Sequence, residues 1–398
     1  MNILILCTYP IASPKHGGQL RVRNIADTYM SAGHQVQVVG VLGSSSYEQE
    51  MGFLPYPTQE QLSRAIANTF LMEDYALGQL FQQDEQCRRH LASLIKTQPD
   101  IIHVEQPWLF GFAMQYAATL KNRPQLIYGS QNTEWRLKRD IVASYQGSSV
   151  AEQCADLVKS IEQQAITKAD AIVSVSQADA NWLAGNTGRP IILAPNGVKA
   201  WQSTPAGRQE ARAISKDYRY ALFCASAHPP NMTGFFDLLS GGFGSLKPDE
   251  KLVVAGGASY AIACDPRLNR SAKLAERTTT AGMVSQACLE GLLDQARCIV
   301  LPITQGSGTN LKTAEALWSG KHIVATTVAM RGYERFMHAP GVHLADDPAS
   351  FKQALRNAMS AAPITLSQDD LMARQSVLWQ NCLAPLISAI DHLGAQTR

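Results

Sequence analysis

No stretch of this 398-residue chain approaches the roughly 20 consecutive apolar residues that a membrane helix requires. An excess of either charge is also lacking. The 35 Lys and Arg against 33 Asp and Glu leave a net charge of +2, far from the basic bias of a nucleic-acid-binding domain. Weak local attraction to an anionic membrane surface stays open. Charged residues make up only 17% and hydrophobic residues 45%, which excludes extensive disorder. The eight cysteines, Cys7, Cys154, Cys224 and Cys298 among them, contain no C-x-x-C pair. Several lie in apolar runs, as expected of buried reduced thiols and not of a metal site or disulfide framework. The start, "MNILILCTYP", has no basic segment before its short apolar run, so no signal peptide is expected and a cytoplasmic protein is.

What is present is alternation. "NILILCT" is a short strand-like run, "LRVRNIADTYMSAGH" has apolar residues at helical spacing, and "QVQVVGVL" returns to strand chemistry. Similar runs recur at 100–106, 125–131, 170–176 and 190–197, with helical stretches between most of them. A helical insertion is expected at about 53–97. A cluster of Gly, Ser, Thr and Pro marks a linker near 196–210, after which the pattern restarts. Strands are expected at 220–226, 251–257, 277–284, 296–303, 321–326 and 341–346, with helices at about 231–240, 285–295, 309–319 and 348–361. The expected fold is α/β: two Rossmann-like doubly wound parallel-sheet domains facing a cleft. Their bounds are 1–197 and 198–366, followed by a helical segment at 367–398 packing back toward the first domain.

The most informative stretch is "TQGSGTNLKTAEALWSG" at 304–320, a glycine-rich turn between a strand and a helix. Amide groups at a helix start attract phosphate, and glycine lets the backbone come close to it. Lys312 adds a point charge. Glu315 lies on nearly the same face, where a carboxylate can accept two hydrogen bonds from a ribose diol. The plainer reading is a turn with Thr309 as helix cap. P-loop spacing is absent.

Other candidates are weaker. "SPKHGGQ" puts Gly17 and Gly18 before a helix, with Lys15, His16, Arg21 and Arg23 nearby, without the three spaced glycines of a dinucleotide fingerprint. That basic neighbourhood suits an anionic acceptor, and a solvated helix face accounts for Arg21 and Arg23 as well. His103 and Glu105 sit at a strand's carboxyl end, facing the cleft. Asn132 and Glu134 are placed to contact an acceptor and Trp135 to stack on a sugar, against packing as the plainer role. In "HPPN", Asn231 is a plausible helix cap.

Taken in order, "GGQLRVRNIADTYMSAGHQVQVV", "ADAIVSVSQADANWL", "ILAPNGV", "ASAHPPNMTGFFDLL" and "LPITQGSGTNLKTAEALWSGKHIVAT" resemble glycosyltransferase family 4, which has the GT-B fold. "GTNLK" is close to the "GTRLK" core of one subgroup. The resemblance implies sugar transfer from a nucleotide diphosphate sugar, with retention, no metal and no cofactor, onto a glycan, glycolipid or polysaccharide intermediate, at the cytoplasmic face of a membrane or free of it. It implies donor contacts from Gly306, Ser307, Gly308, Thr309, Asn310 and Lys312 to the diphosphate and from Glu315 to the ribose. It also implies backbone contacts from Gly282, Met283 and Val284 to the base, a phosphate-lining role for Asn231, and donor or acceptor contacts at Gly17 and Gly18. His103, Glu105 and Lys312 are the catalytic candidates. The chain departs from the family at three positions. Ser307 stands where many members have a glutamate, Asn310 where the subgroup has arginine, and Glu105 where many have histidine. A nucleotide-sugar epimerase and a non-catalytic nucleotide-binding scaffold are the competing readings.

Overall fold

The computed structural model describes residues 1–395 except 242, 307 and 308, and the chain divides into two compact units. The first comprises Met1–Pro195 with the segment from Cys382 onward; the second is Asn196–Asn381.

The first unit is built on a parallel sheet of seven strands: β1 (Asn2–Cys7), β2 (Gln35–Val41), β3 (Phe53–Leu54), β4 (Ile101–Glu105), β5 (Gln125–Ser130), β6 (Ala171–Ser174) and β7 (Ile191–Leu193). Their order is β3-β2-β1-β4-β5-β6-β7, so chain direction across the sheet reverses between β1 and β4. The central strands read as unbroken apolar runs because helices cover both faces; Ile3, Leu4, Ile5 and Leu6 are all buried. The two-residue β3 is too short to leave a sequence pattern. The insertion forms helices Gln59–Ala65, Glu73–Gln83 and Glu85–Ser93.

The second unit holds six parallel strands: β8 (Arg219–Cys224), β9 (Glu250–Ala255), β10 (Thr278–Gly282), β11 (Cys298–Leu301), β12 (His322–Ala325) and β13 (Val342–Leu344). Their order is β10-β9-β8-β11-β12-β13, with the reversal between β8 and β11. In open parallel sheets that reversal leaves a crevice at the carboxyl ends, because the two following helices go to opposite faces. Here those helices are Pro229–Leu239 after β8 and Leu311–Ser319 after β11.

The linker expected at 196–210 is shorter than its composition suggests, since a helix runs over Pro205–Ser215. Thr204 caps it by accepting the Gly207 amide at 3.0 Å, and proline occupies its first turn, a favourable start. Gly207 serves close packing: a Cβ there would lie 2.1 Å from the Ala287 carbonyl oxygen on the facing helix Gln286–Gln295.

The terminal segment is shared. Helix Gln368–Gln375 packs against Leu311–Ser319, and its buried Arg374 donates to the Leu317 carbonyl at 2.6 Å and to that of Pro340 at 3.0 Å. That guanidinium meets the negative end of helix Leu311–Ser319. Helix Ala384–Ala395 packs on β7 in the first unit. All eight cysteines are free thiols; Cys7, Cys288, Cys298 and Cys382 are buried, whereas Cys264 is exposed, against the expectation of burial. Among the described residues no helix is long and apolar enough to cross a membrane.

Candidate functional site

At the β8/β11 reversal, Lys312 and Glu315 project from the first turns of helix Leu311–Ser319. Burial pushes the Glu315 carboxyl up to about 7, with the Lys312 ammonium opposing the shift. Burial also lowers the Lys312 ammonium, which feels both Glu315 and Cys224 at the end of β8. His228 is lowered by burial and by the Lys312 charge. Among the described residues neither the Lys312 ammonium nor the Glu315 carboxyl has a hydrogen-bonding partner. Burying such groups is costly unless something pairs with them. Two further atoms of the same turn share this condition: the Thr304 hydroxyl and the Asn310 Nδ2 are buried with no partner.

The helix is capped by Asn310, not by Thr309: the Asn310 Oδ1 accepts the Lys312 amide at 3.3 Å. Thr309 instead accepts a 2.7 Å hydrogen bond from Asn196 Nδ2. Gly306 has φ +126°, a conformation open to glycine, and its carbonyl accepts from Arg331 Nη1 at 2.6 Å. Ser307 and Gly308 lie outside the described residues. Asn231 is not the cap of its helix, which begins at Pro229 with His228 as the capping residue. The Asn231 side chain is buried and donates to the Ser226 carbonyl at 3.0 Å, tying the helix start to the loop after β8. At the end of β10, Gly282 spends both backbone groups internally: its amide donates to Ser259 Oγ and its carbonyl accepts from Gly256, each at 2.8 Å. Met283 is 70% exposed.

In the first unit the candidates fall around one buried network. Glu105 lies 3.5 Å from Arg21 Nε, accepts 2.6 Å from Gln131 Nε2 and pairs with His103 Nε2 at 3.0 Å. Burial alone would raise its carboxyl; Arg21, His103 and Gln131 reverse this and hold it at about 2. His103 is fully buried, with Nδ1 2.7 Å from the Tyr29 hydroxyl. Arg21 is 1% exposed and also donates to the Ala194 carbonyl at 2.9 Å. The basic neighbourhood expected around Gly17 and Gly18 is therefore largely neutralised. Arg21 is inside the network, Lys15 pairs with Glu48 at 2.8 Å, and Arg23 pairs with Asp27 at 2.9 Å. Gly17 opens helix Gly17–Ser31, and Gly18 lies against Tyr9 and Gln131.

Asn132 and Glu134 adjoin this network. Asn132 Nδ2 donates to Glu134 Oε1 at 3.2 Å, as does Gln106 Nε2 at 3.4 Å. Glu134 is buried near a second carboxyl, Glu162 of helix Ser148–Lys168. Glu162 accepts the amides of Glu134 at 3.0 Å and Trp135 at 3.2 Å, acting as a long-range cap for helix Glu134–Gln146. Burial and the neighbouring Glu162 push Glu134 up to about 8; burial pushes Glu162 to about 7. Both groups thus hold a proton more tightly folded than unfolded. Their stabilisation is complete below the ordinary carboxylate range and is lost as pH rises through about 7 to 8. The melting temperature is expected to fall on the order of 5 °C between pH 5.5 and 8.5, and Glu134→Gln to flatten that fall. Thermal melts across pH check this.

Trp135 does not present an open face to a sugar. It packs beside Met72, Trp108 and Val158. Arg136, Arg139 and Lys159 lie 5.2, 5.6 and 5.2 Å from its ring. The residues that local reading passes over are Arg331, Asn196, His228, Glu162 and Gln131. Arg331, Asn196, His228 and Gln131 follow strands whose neighbours in the sheet the sequence does not give, and Glu162 lies inside helix Ser148–Lys168, so none carries a local sequence signal.

The family model described as Glycosyltransferase Family 4 matches residues 16–201, and that described as Glycosyl transferases group 1 matches residues 219–361. No curated protein matches the chain by sequence. Among solved structures, sucrose-phosphate synthase from Thermosynechococcus elongatus superposes with a TM-score of 0.71 at 14% identity, covering 99% of each chain. A trehalose-6-phosphate structure from E. coli, bound with UDP-2-fluoro glucose, gives 0.66 at 11% identity and 99% of each chain. Anabaena Alr3699/HepE in complex with UDP and glucose gives 0.59 at 13% identity, covering 100% of this chain and 98% of its own. At such identities the likeness is one of fold.

Proposed function

The chain belongs to glycosyltransferase family 4, and from that premise we propose that it transfers a sugar from a nucleotide diphosphate sugar to an acceptor hydroxyl with retention of anomeric configuration. One observation carries the donor reading. A half-buried ammonium and a half-buried carboxyl, on adjacent turns of the helix leaving the β8/β11 reversal, lack hydrogen-bonding partners within the described chain. A nucleoside diphosphate supplies both at once: phosphate oxygens for Lys312, and a ribose diol for Glu315. The nucleotide complexes named for E. coli and Anabaena neighbours agree with this choice of ligand.

In the proposed reaction the bond from the anomeric carbon to the phosphate oxygen breaks through an oxocarbenium-like state. The acceptor oxygen bonds to that carbon on the same face, and its proton passes to the departing diphosphate. The protein's part is to hold the negative charge that grows on that diphosphate, through Lys312 and the amides at the start of helix Leu311–Ser319. No metal is assigned a part, so transfer is expected to persist in excess EDTA. His103 and Glu105 are assigned positioning roles, since both lie wholly inside the Arg21 network. Three cations around Trp135 favour an acceptor with negative charge, such as a lipid-linked phosphate on a glycan intermediate. The acceptor side would then lie at the inner face of a membrane without a spanning helix.

The test is transfer from radiolabelled sugars of UDP, GDP, ADP and dTDP to a panel of lipid-phosphate and oligosaccharide acceptors, with EDTA present. Acceptor-dependent product of retained configuration supports the reading. Donor conversion without acceptor identifies an epimerase instead, and tight nucleotide binding with no turnover identifies a scaffold.

A further inference from the structure

Of the large apolar side chains left in solvent, two stand at the carboxyl ends of neighbouring strands in the second unit. Tyr260 follows β9 and is 63% exposed; Met283 follows β10 and is 70% exposed. We propose that the Tyr260 ring is the surface on which the nucleobase of the donor stacks. The assignment rests on the donor-site reading given above, and it replaces the backbone contact expected at Gly282 with a side chain that the resemblance does not supply.

The strand register sets the distance. Cys224, Ala255 and Gly282 are partners in one row across the ends of β8, β9 and β10. Neighbouring strands lie about 4.8 Å apart, so Gly282 is roughly 10 Å from Cys224 along that row. Cys224 marks the near end, because its thiol feels both Glu315 and Lys312. A ribose held at Glu315 therefore has its base directed along the ends of β9 and β10, and a nucleobase spans a length of this order.

The far end of the row offers a ring and little backbone. The Gly282 amide donates to Ser259 Oγ at 2.8 Å and cannot meet a base edge; the Gly282 carbonyl is engaged by the Gly256 amide at 2.8 Å. These bonds, with that from the Ala258 amide to the Ala225 carbonyl at 2.9 Å, fix the first turn of helix Gly257–Cys264 to its neighbours on both sides. Ala258, Ser259 and Ile262 of that helix are buried, whereas Tyr260 is not. Its side chain leaves the fixed turn over Gly282. A Cβ on Gly282 would lie 2.9 Å from the Tyr260 hydroxyl oxygen, and the φ of +72° independently favours glycine. An aromatic ring has two χ angles to order and an extended π-face, and every base has a π-face to set against it. A ring so placed grips the base without reading its edge.

Four variants test this: Tyr260→Ala, Tyr260→Leu, Tyr260→Phe and Tyr260→Trp. UDP, GDP, ADP and dTDP are titrated calorimetrically into each, and into Glu315→Ala as a control. Tyr260→Ala and Tyr260→Leu are each expected to weaken the preferred diphosphate by about 10- to 100-fold, the range for losing one base–aromatic stack. Tyr260→Phe and Tyr260→Trp are expected to stay within about 3-fold of the wild type. All four are expected to melt within about 2 °C of it, because the side chain is largely in solvent. Unchanged affinity in Tyr260→Ala, beside a loss in Glu315→Ala, overturns the assignment and leaves the donor site intact. A loss in Tyr260→Phe equal to that in Tyr260→Ala overturns it in favour of a hydroxyl contact. Full affinity in Tyr260→Leu overturns it in favour of simple packing on Gly282. A folded wild-type protein that binds none of the four diphosphates removes the donor-site reading itself, and the assignment with it.

Discussion

Lys312→Ala is expected to lower kcat for sugar transfer by about 10²- to 10³-fold, the loss typical of removing one preorganised group at a charge-developing centre. The effect on kcat should exceed that on donor KM, because the diphosphate carries more charge when leaving than when bound. The reason lies in the pocket. Lys312 is half-buried and its charge is felt by His228 and Cys224, so it is worth more there than on an open surface. Lys312→Arg is not expected to rescue fully, since a planar fork does not reproduce a compact ammonium in an enclosed space. Steady-state kinetics with the preferred donor provide the check. A loss confined to KM would assign Lys312 to ground-state binding alone.

The largest stability effect is expected at Arg21. Arg21→Met leaves Glu105 as a carboxylate buried at 1% exposure without its guanidinium. Breaking a buried pair from one side typically costs about 3–5 kcal/mol. For a unit of this size that corresponds to a fall in melting temperature on the order of 10 °C. Pairing the change with Glu105→Gln is expected to recover much of the loss, because no orphaned charge remains. Its pH signature differs from that of Glu134. A carboxyl held at about 2 contributes stability above the ordinary carboxylate range and loses it only as pH falls through that range toward 2. Acid-side melts of the wild type and both variants measure this. A single variant melting within about 2 °C of the wild type would show that the network does not hold the first unit together.

Much of the fold is legible because parallel strands covered on both faces are short apolar runs. β1, β8 and β11 are examples, whereas β3 has only two residues and β10 is a threonine-rich edge strand. The helix Pro205–Ser215 is hidden because its start is Thr, Pro, Ala, Gly, a composition shared with linkers; its capping bond distinguishes it only in three dimensions. The three short helices between Gly257 and Arg277 are hidden for a similar reason, opening on Gly256 and Gly257. Within the site, Lys312 and Glu315 are readable because strand, turn and helix are contiguous. Arg331 and Asn196 are not, because each reaches Gly306 or Thr309 only through the sheet order or the return of the chain from the first unit's last strand. The burial of His103 is unreadable for a different reason. In a strand with both faces covered, residue alternation does not tell a core position from one open to ligand.

Calorimetric titration of UDP, GDP, ADP and dTDP into the wild type and into Glu315→Ala, at pH 8 where the carboxyl is ionised, tests the donor site most directly. The expected result is micromolar or tighter binding of one diphosphate by the wild type, weakened at least about 10-fold in the folded variant. Equal affinity in the two proteins, or no binding by a folded wild type, would contradict it.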